Sequence, residues 1–88
     1  MVSKKTTIVN QQGLHMRPAS DFAKAVTKFD CNIILRINGK DYNGKSVMNI
    51  ISSCAKYGTE IEIICDGAKE EEALNTAITL VESGFGES

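Results

Sequence analysis

The sequence predicts an α+β fold, a two-layer sandwich of order β-α-β-β-α-β-α with its helices on one face. Three observations predict it. Cys31–Ile37 and Glu60–Asp66 alternate apolar and polar residues, as half-buried strands do. Three other stretches repeat apolar residues at helical spacing, each giving one apolar stripe. Between β-prone segments stands Asn38-Gly39, the preferred dipeptide of a type I′ hairpin turn.

Element by element, Thr6-Thr7-Ile8-Val9 is β-prone and opens the domain, and Asn10-Gln11-Gln12-Gly13 breaks it. From Met16 to Lys28 the residues Ala19, Phe22, Ala23 and Val26 form a helical stripe, and Pro18 sits near its start, where a missing N–H costs nothing. Cys31, Ile33, Leu35 and Ile37 then line one face of a strand, and residues 40–43 fold back on it after the Asn-Gly turn. Val47, Met48, Ile50, Ile51 and Cys54 recur at helical spacing in a short helix that begins near Ser46, an acceptable capping residue. Ile61, Ile63 and Cys65 mark the clearest strand, and after Gly67 a last helix runs to about Ser83 on the stripe Leu74, Ala77, Ile78 and Val81. Glu70, Glu71 and Glu72 lie in its first turns, where negative charge complements the helix dipole. Gly84-Phe85-Gly86-Glu87-Ser88 is expected to fray.

The 88 residues read as a single domain, 1–88, with 42% hydrophobic and 24% charged residues, an ordinary globular balance that argues against disorder. No apolar run approaches a membrane span and no signal peptide opens the chain, so the cytoplasm is the expected compartment. Cys31, Cys54 and Cys65 lack C-x-x-C spacing, and one histidine leaves few ligands for zinc; they are expected in the core, with no metal and no cofactor. The formal net charge of −1 hides a split: residues 1–56 sum to +6 and residues 57–88 to −7. The basic part can steer acidic partners or phosphate, unless folding simply intermixes the two surfaces.

Two segments can carry chemistry. Gly13-Leu14-His15-Met16-Arg17-Pro18 places the only histidine at the last loop position before a helix, with an arginine in the first turn. A lone histidine is more often structural, but a helix N-terminus offers unpaired N–H groups and a positive dipole end that favour phosphate, and Arg17 adds a planar donor fork. An imidazole nitrogen so placed can attack phosphorus and leave the product anion among these donors, the outline of a phosphohistidine carrier. The second segment, Gly39-Lys-Asp-Tyr-Asn-Gly44-Lys45-Ser46, fits the G-x-x-x-x-G-K-[ST] pattern of a P-loop, with Asp66 ending a later strand as a magnesium ligand would. Its context argues against nucleotide: the Asn-Gly hairpin reverses the chain, whereas a P-loop leads from a strand into a parallel crossover. Ser46 alone can also be no more than a helix cap.

Gly13-Leu-His-Met-Arg-Pro-Ala-Ser20 strongly resembles the active-site motif of the histidine-containing phosphocarrier family, HPr, of the bacterial phosphoenolpyruvate-dependent sugar phosphotransferase system, and Gly44-Lys45-Ser46-Val47-Met48-Asn49-Ile50 resembles its regulatory serine segment. The resemblance implies an open-faced β-sandwich in which a four-stranded antiparallel sheet carries three helices on one face. It implies a phosphoryl carrier, not a turnover enzyme. Enzyme I would charge Nδ1 of His15, Arg17 would stabilise the phosphoryl group, and the A component of a sugar-specific enzyme II would receive it. Val47, Met48 and Ile51, with Lys24 nearby, would form the docking surface. Ser46 would be a phosphoserine set by a serine kinase/phosphorylase and linked to carbon catabolite repression through a transcription regulator. Two residues depart from the pattern: Met16 stands where alanine, threonine or serine is usual, and Cys54 where many members have glycine. The expected partners are proteins rather than nucleic acid or membrane, and the expected state is a monomer. The competing reading on the same scaffold is a regulatory or interaction domain without a sugar-transport role.

Overall fold

Turn chemistry and strand alternation set the sheet. The computed structural model describes residues 1–86. β1 (Val2–Thr7) precedes α1 (Met16–Thr27), β2 (Cys31–Ile37), β3 (Lys40–Asn43), α2 (Val47–Ser52), β4 (Glu60–Gly67) and α3 (Glu70–Glu82), and a 3-10 turn covers Gly84–Gly86. The strands form one antiparallel sheet in the order β1-β4-β2-β3, so the last strand in sequence is the hub that joins β1 to β2. Asn38 and Gly39, at φ 53° and 79°, make the expected left-handed turn, and Ile37 faces Lys40 across it.

The period-2 and helical stripes meet in one core. From the sheet come Cys31, Ile33, Leu35, Ile37, Ile61, Ile63 and Cys65; from the helices come Ala19, Phe22, Ala23, Val26, Ile50, Leu74, Ala77, Ile78 and Val81. Of α2, only Ile50 is fully buried. The opposite sheet face carries Ile34 and Ile64 beside an ionic cluster, in which Arg36 Nε lies 2.7 Å from Asp41 Oδ1 and Arg36 Nη1 lies 3.6 Å from Glu62 Oε1. The hydrogen bond from Arg36 holds the Asp41 carboxyl below the usual carboxylate range.

Three expectations are corrected. β1 begins at Val2, not Thr6, because it is an edge strand with exposed Ser3, Lys4 and Lys5, and so lacks the apolar signature of a central strand. Ile8 lies just past its end, fully buried, with its N–H donating to Thr59 O (2.9 Å) and its carbonyl accepting from Gly58 N–H (2.8 Å). The C-terminal turn does not fray over Gly84–Gly86: Phe85 takes φ 58° and is 5% exposed, a left-handed backbone offset by burial of a ring. Residues 87 and 88, the remainder of that expectation, lie outside the described residues. Finally, Cys31 and Cys65 are buried as expected but Cys54 is exposed, because α2 stops at Ser52 and Cys54 follows in a left-handed conformation at φ 55°.

Candidate functional site

His15 is the N-cap of α1. Its backbone is extended, φ −85° and ψ −169°, its carbonyl accepts the first helical hydrogen bond from Ala19 N–H (3.0 Å), and its side chain makes no capping hydrogen bond. The imidazole is half-buried, with Met16 and Arg17 exposed beside it and Pro18 buried behind. The N–H groups of the first helical turn have no acceptor within the helix and so offer donors to an anion, and Arg17 is exposed in the same turn. Lys24 is exposed in the last turn, far along the helix.

The loop before His15 is held by a second loop. Leu14 N–H donates to Ala55 O (2.9 Å), and Gly13, at φ 69°, lies so close to that segment that a Cβ would come 2.4 Å from Ala55 O and 2.9 Å from Lys56 Cα. Asn10, 3% exposed, donates from Nδ2 to Gly13 O at 2.7 Å. Asn10 and Ala55 belong to the site and were not singled out from the sequence, because only the meeting of two loops distant in the chain gives them a role.

Ser46 is the N-cap of α2, and its Oγ accepts from Asn49 N–H and Asn49 Nδ2, each at 3.3 Å. Val47 and Ile51 are half-buried against the core and Met48 is 70% exposed. Lys45, in the loop ahead of Ser46, donates from Nζ to Phe29 O just beyond the end of α1 (2.6 Å). α1 and α2 are therefore antiparallel neighbours: the loop after α2 touches the loop before His15, and the loop before Ser46 touches the end of α1. The structure places His15 and Ser46 at opposite ends of this pair, with the six residues of α2 between them. Met48 and Ile51 lie on the element between them.

A family model described as the phosphorylation site of the phosphotransferase-system HPr component matches residues 2–83. The chain belongs to the HPr phosphocarrier family. It is 42% identical to the phosphocarrier protein HPr of Mycoplasma capricolum over 74 residues, covering 84% of this chain and 83% of that one. The crystal structure of HPr from Thermoanaerobacter tengcongensis superposes with a TM-score of 0.95 at 36% identity, covering 100% of this chain and 99% of that one. The swapped, intertwined dimer of Crh, a catabolite-repression protein of Bacillus subtilis, superposes with a TM-score of 0.77 at 33% identity, covering 96% of this chain and 97% of that one. HPr is a phosphocarrier of the phosphotransferase system rather than an enzyme in the usual sense, and the open four-stranded sheet with three helices is the HPr fold.

The HPr architecture also disposes of the P-loop reading. The strand before Gly39–Ser46 turns back into β3 as an antiparallel hairpin, and β4 runs antiparallel to β2, so among the described residues no parallel crossover is present to build a phosphate cradle. Lys45, the lysine of that pattern, is engaged by the Phe29 carbonyl. Among the described residues no three His, Cys, Asp or Glu side chains converge on a metal position, and no helix is long and apolar enough to cross a membrane.

Proposed function

We propose that His15 accepts a phosphoryl group from phosphoenolpyruvate-charged enzyme I and passes it to the A component of a sugar-specific enzyme II. The observation that carries this reading is the position of His15: an N-cap side chain that does no capping, at the positive end of a 12-residue helix, followed by Arg17. Imidazole Nδ1 attacks phosphorus as the bond from phosphorus to enzyme I breaks, and the phosphoryl charge comes to lie near the first-turn N–H groups and the Arg17 guanidinium. These donors steady the group without enclosing it, so the return step, attack by the acceptor protein, needs no opening of a cavity. Arg17, rather than a lysine, offers a fork that matches two phosphoryl oxygens at once.

Docking is assigned to Val47, Met48 and Ile51 on α2, with Lys24 on the flank. Ser46 then acts as the regulatory site, the target of a serine kinase/phosphorylase, with the phosphorylated form addressed to a catabolite-control transcription regulator. A phosphate at Ser46 adds about −2 charge at a helix N-terminus, which suits α2 locally but repels an acidic partner from Met48. The compartment is read as the cytoplasm and the working form as a monomer; a sedimentation mass twice 9.6 kDa overturns the latter. The kinship with Crh favours the regulatory domain as second reading, and the imidazole of His15 is what argues for transfer.

The test is incubation with enzyme I and phosphoenolpyruvate. An acid-labile phosphate is expected on the wild type and absent in His15→Ala; a wild-type protein that takes no phosphate sinks the carrier reading. Ser46→Asp is expected to slow that phosphorylation at least roughly tenfold, as a charge placed against an acidic partner does at moderate salt, and an unchanged rate removes the regulatory role.

A further inference from the structure

We propose that Asn10 is a positioning residue for phosphoryl transfer: it clamps the Gly13–Leu14 peptide group and thereby fixes the direction in which His15 leaves the loop. The inference rests on the carrier reading of His15. In a turn whose Gln11 and Gln12 are exposed, Asn10 is 3% exposed, an unusual place for a carboxamide unless it is used. Its Nδ2 donates to Gly13 O at 2.7 Å, and Gly13 N–H donates back to Asn10 O at 3.2 Å, so the four-residue turn is closed twice.

The consequence falls on one peptide plane. The Gly13–Leu14 peptide has its carbonyl held by Asn10 and its N–H held by Ala55 O at 2.9 Å. Such a unit cannot rotate without losing a hydrogen bond at each end, and the next backbone unit carries the imidazole. Gly84 of the C-terminal turn lies behind Asn10, where a Cβ would stand at an ordinary contact distance of 3.8 Å from Asn10 Cβ. Transfer depends on orientation, and displacement of a reacting group by about 1 Å costs up to roughly a hundredfold in rate.

The test compares wild type, Asn10→Ala and the isosteric Asn10→Asp, whose carboxylate cannot donate, with Leu74→Ala as a control that loosens the core near the start of α3, at the other end of that helix from Gly84. Phosphorylation by enzyme I is measured against carrier concentration, and amide exchange at Leu14 is followed by NMR. Both Asn10 variants are expected to lose roughly tenfold in kcat with KM within about twofold, since α2 is untouched, and to exchange the Leu14 amide roughly tenfold faster. Leu74→Ala should keep kcat at equal or lower stability. Normal kcat in Asn10→Asp, or an equal fall in Leu74→Ala, overturns the proposal and leaves the carrier reading intact. A wild type that takes no phosphate overturns the carrier reading, and the Leu14 exchange rates then decide the loop assignment on their own: unchanged exchange in both variants defeats it.

Discussion

The loops that end at His15 and at Ser46 are built to the same plan and used differently. Each has a glycine two residues ahead of a helix N-cap, and each glycine meets another segment at a distance no side chain tolerates. A Cβ on Gly13 would strike the backbone at Ala55 O, 2.4 Å away; one on Gly44 would strike Ile33 Cγ2 at 2.5 Å. Gly13 also needs its positive φ of 69°, whereas Gly44 does not lie in the left-handed region. At the cap itself the roles divide: Ser46 uses its Oγ as a local acceptor, while the His15 side chain takes no part in capping. A helix start can thus commit its cap side chain to the helix or leave it out of the cap.

Gly13→Ala against Gly44→Ala puts the largest strain on this comparison. Gly13→Ala must move backbone and adopt a disfavoured φ, so it is expected to cost about 2–4 kcal/mol and to slow phosphorylation of His15 together with stability. Gly44→Ala forces the buried Ile33 side chain to shift, at about 1–3 kcal/mol, with transfer close to wild type wherever the chain is folded. Urea unfolding gives the stabilities and enzyme I turnover the rates. Equal damage to transfer in two variants of matched stability would show that the His15 loop is not separately held.

The caps themselves differ by less. Removing the Ser46 hydroxyl in Ser46→Ala leaves the Asn49 N–H without its acceptor and should cost about 1 kcal/mol. His15→Ala removes a side chain that caps nothing and should stay within about 0.5 kcal/mol of wild type while losing all phosphate uptake. Thermal or urea unfolding of the pair checks the split, and an equal loss of stability from both would mean that His15 holds α1 as well.

Legibility followed the range of the interactions. The hairpin at Asn38-Gly39, the stripes of α1 and α3 and the position of His15 before a helix are all written within a few residues of one another, and each is found where it was expected. The start of β1 is not legible, because an edge strand shows lysines where a central strand shows isoleucines, and the Phe85 turn reads as a frayed end because one buried ring has no period. Asn10 reads as a turn-former and nothing more until Ala55, 45 positions away, closes on Gly13. The imidazole and the guanidinium are local features; the hydrogen bonds that hold the loop ahead of His15 are not.

Cys54 stands between the two regions, after α2 and next to the Ala55 carbonyl that holds Leu14, and it carries the smallest expected effect. At φ 55° its side chain adds left-handed strain of about 1–2 kcal/mol. Glycine there would remove the strain at an entropic cost of about 0.5–1 kcal/mol, so Cys54→Gly should gain at most about 1.5 kcal/mol. The same residue is readable by chemistry: it is exposed, whereas Cys31 and Cys65 are buried and desolvation pushes the Cys65 thiol up to about 11. A thiol reagent at pH 8 should therefore modify one site rapidly in the folded chain and the other two only on unfolding, and the rapid phase should vanish in Cys54→Gly. If Cys54→Gly loses stability instead, the side chain packs usefully on the His15 loop, and the two regions are coupled through α2 more tightly than their separate hydrogen bonds require.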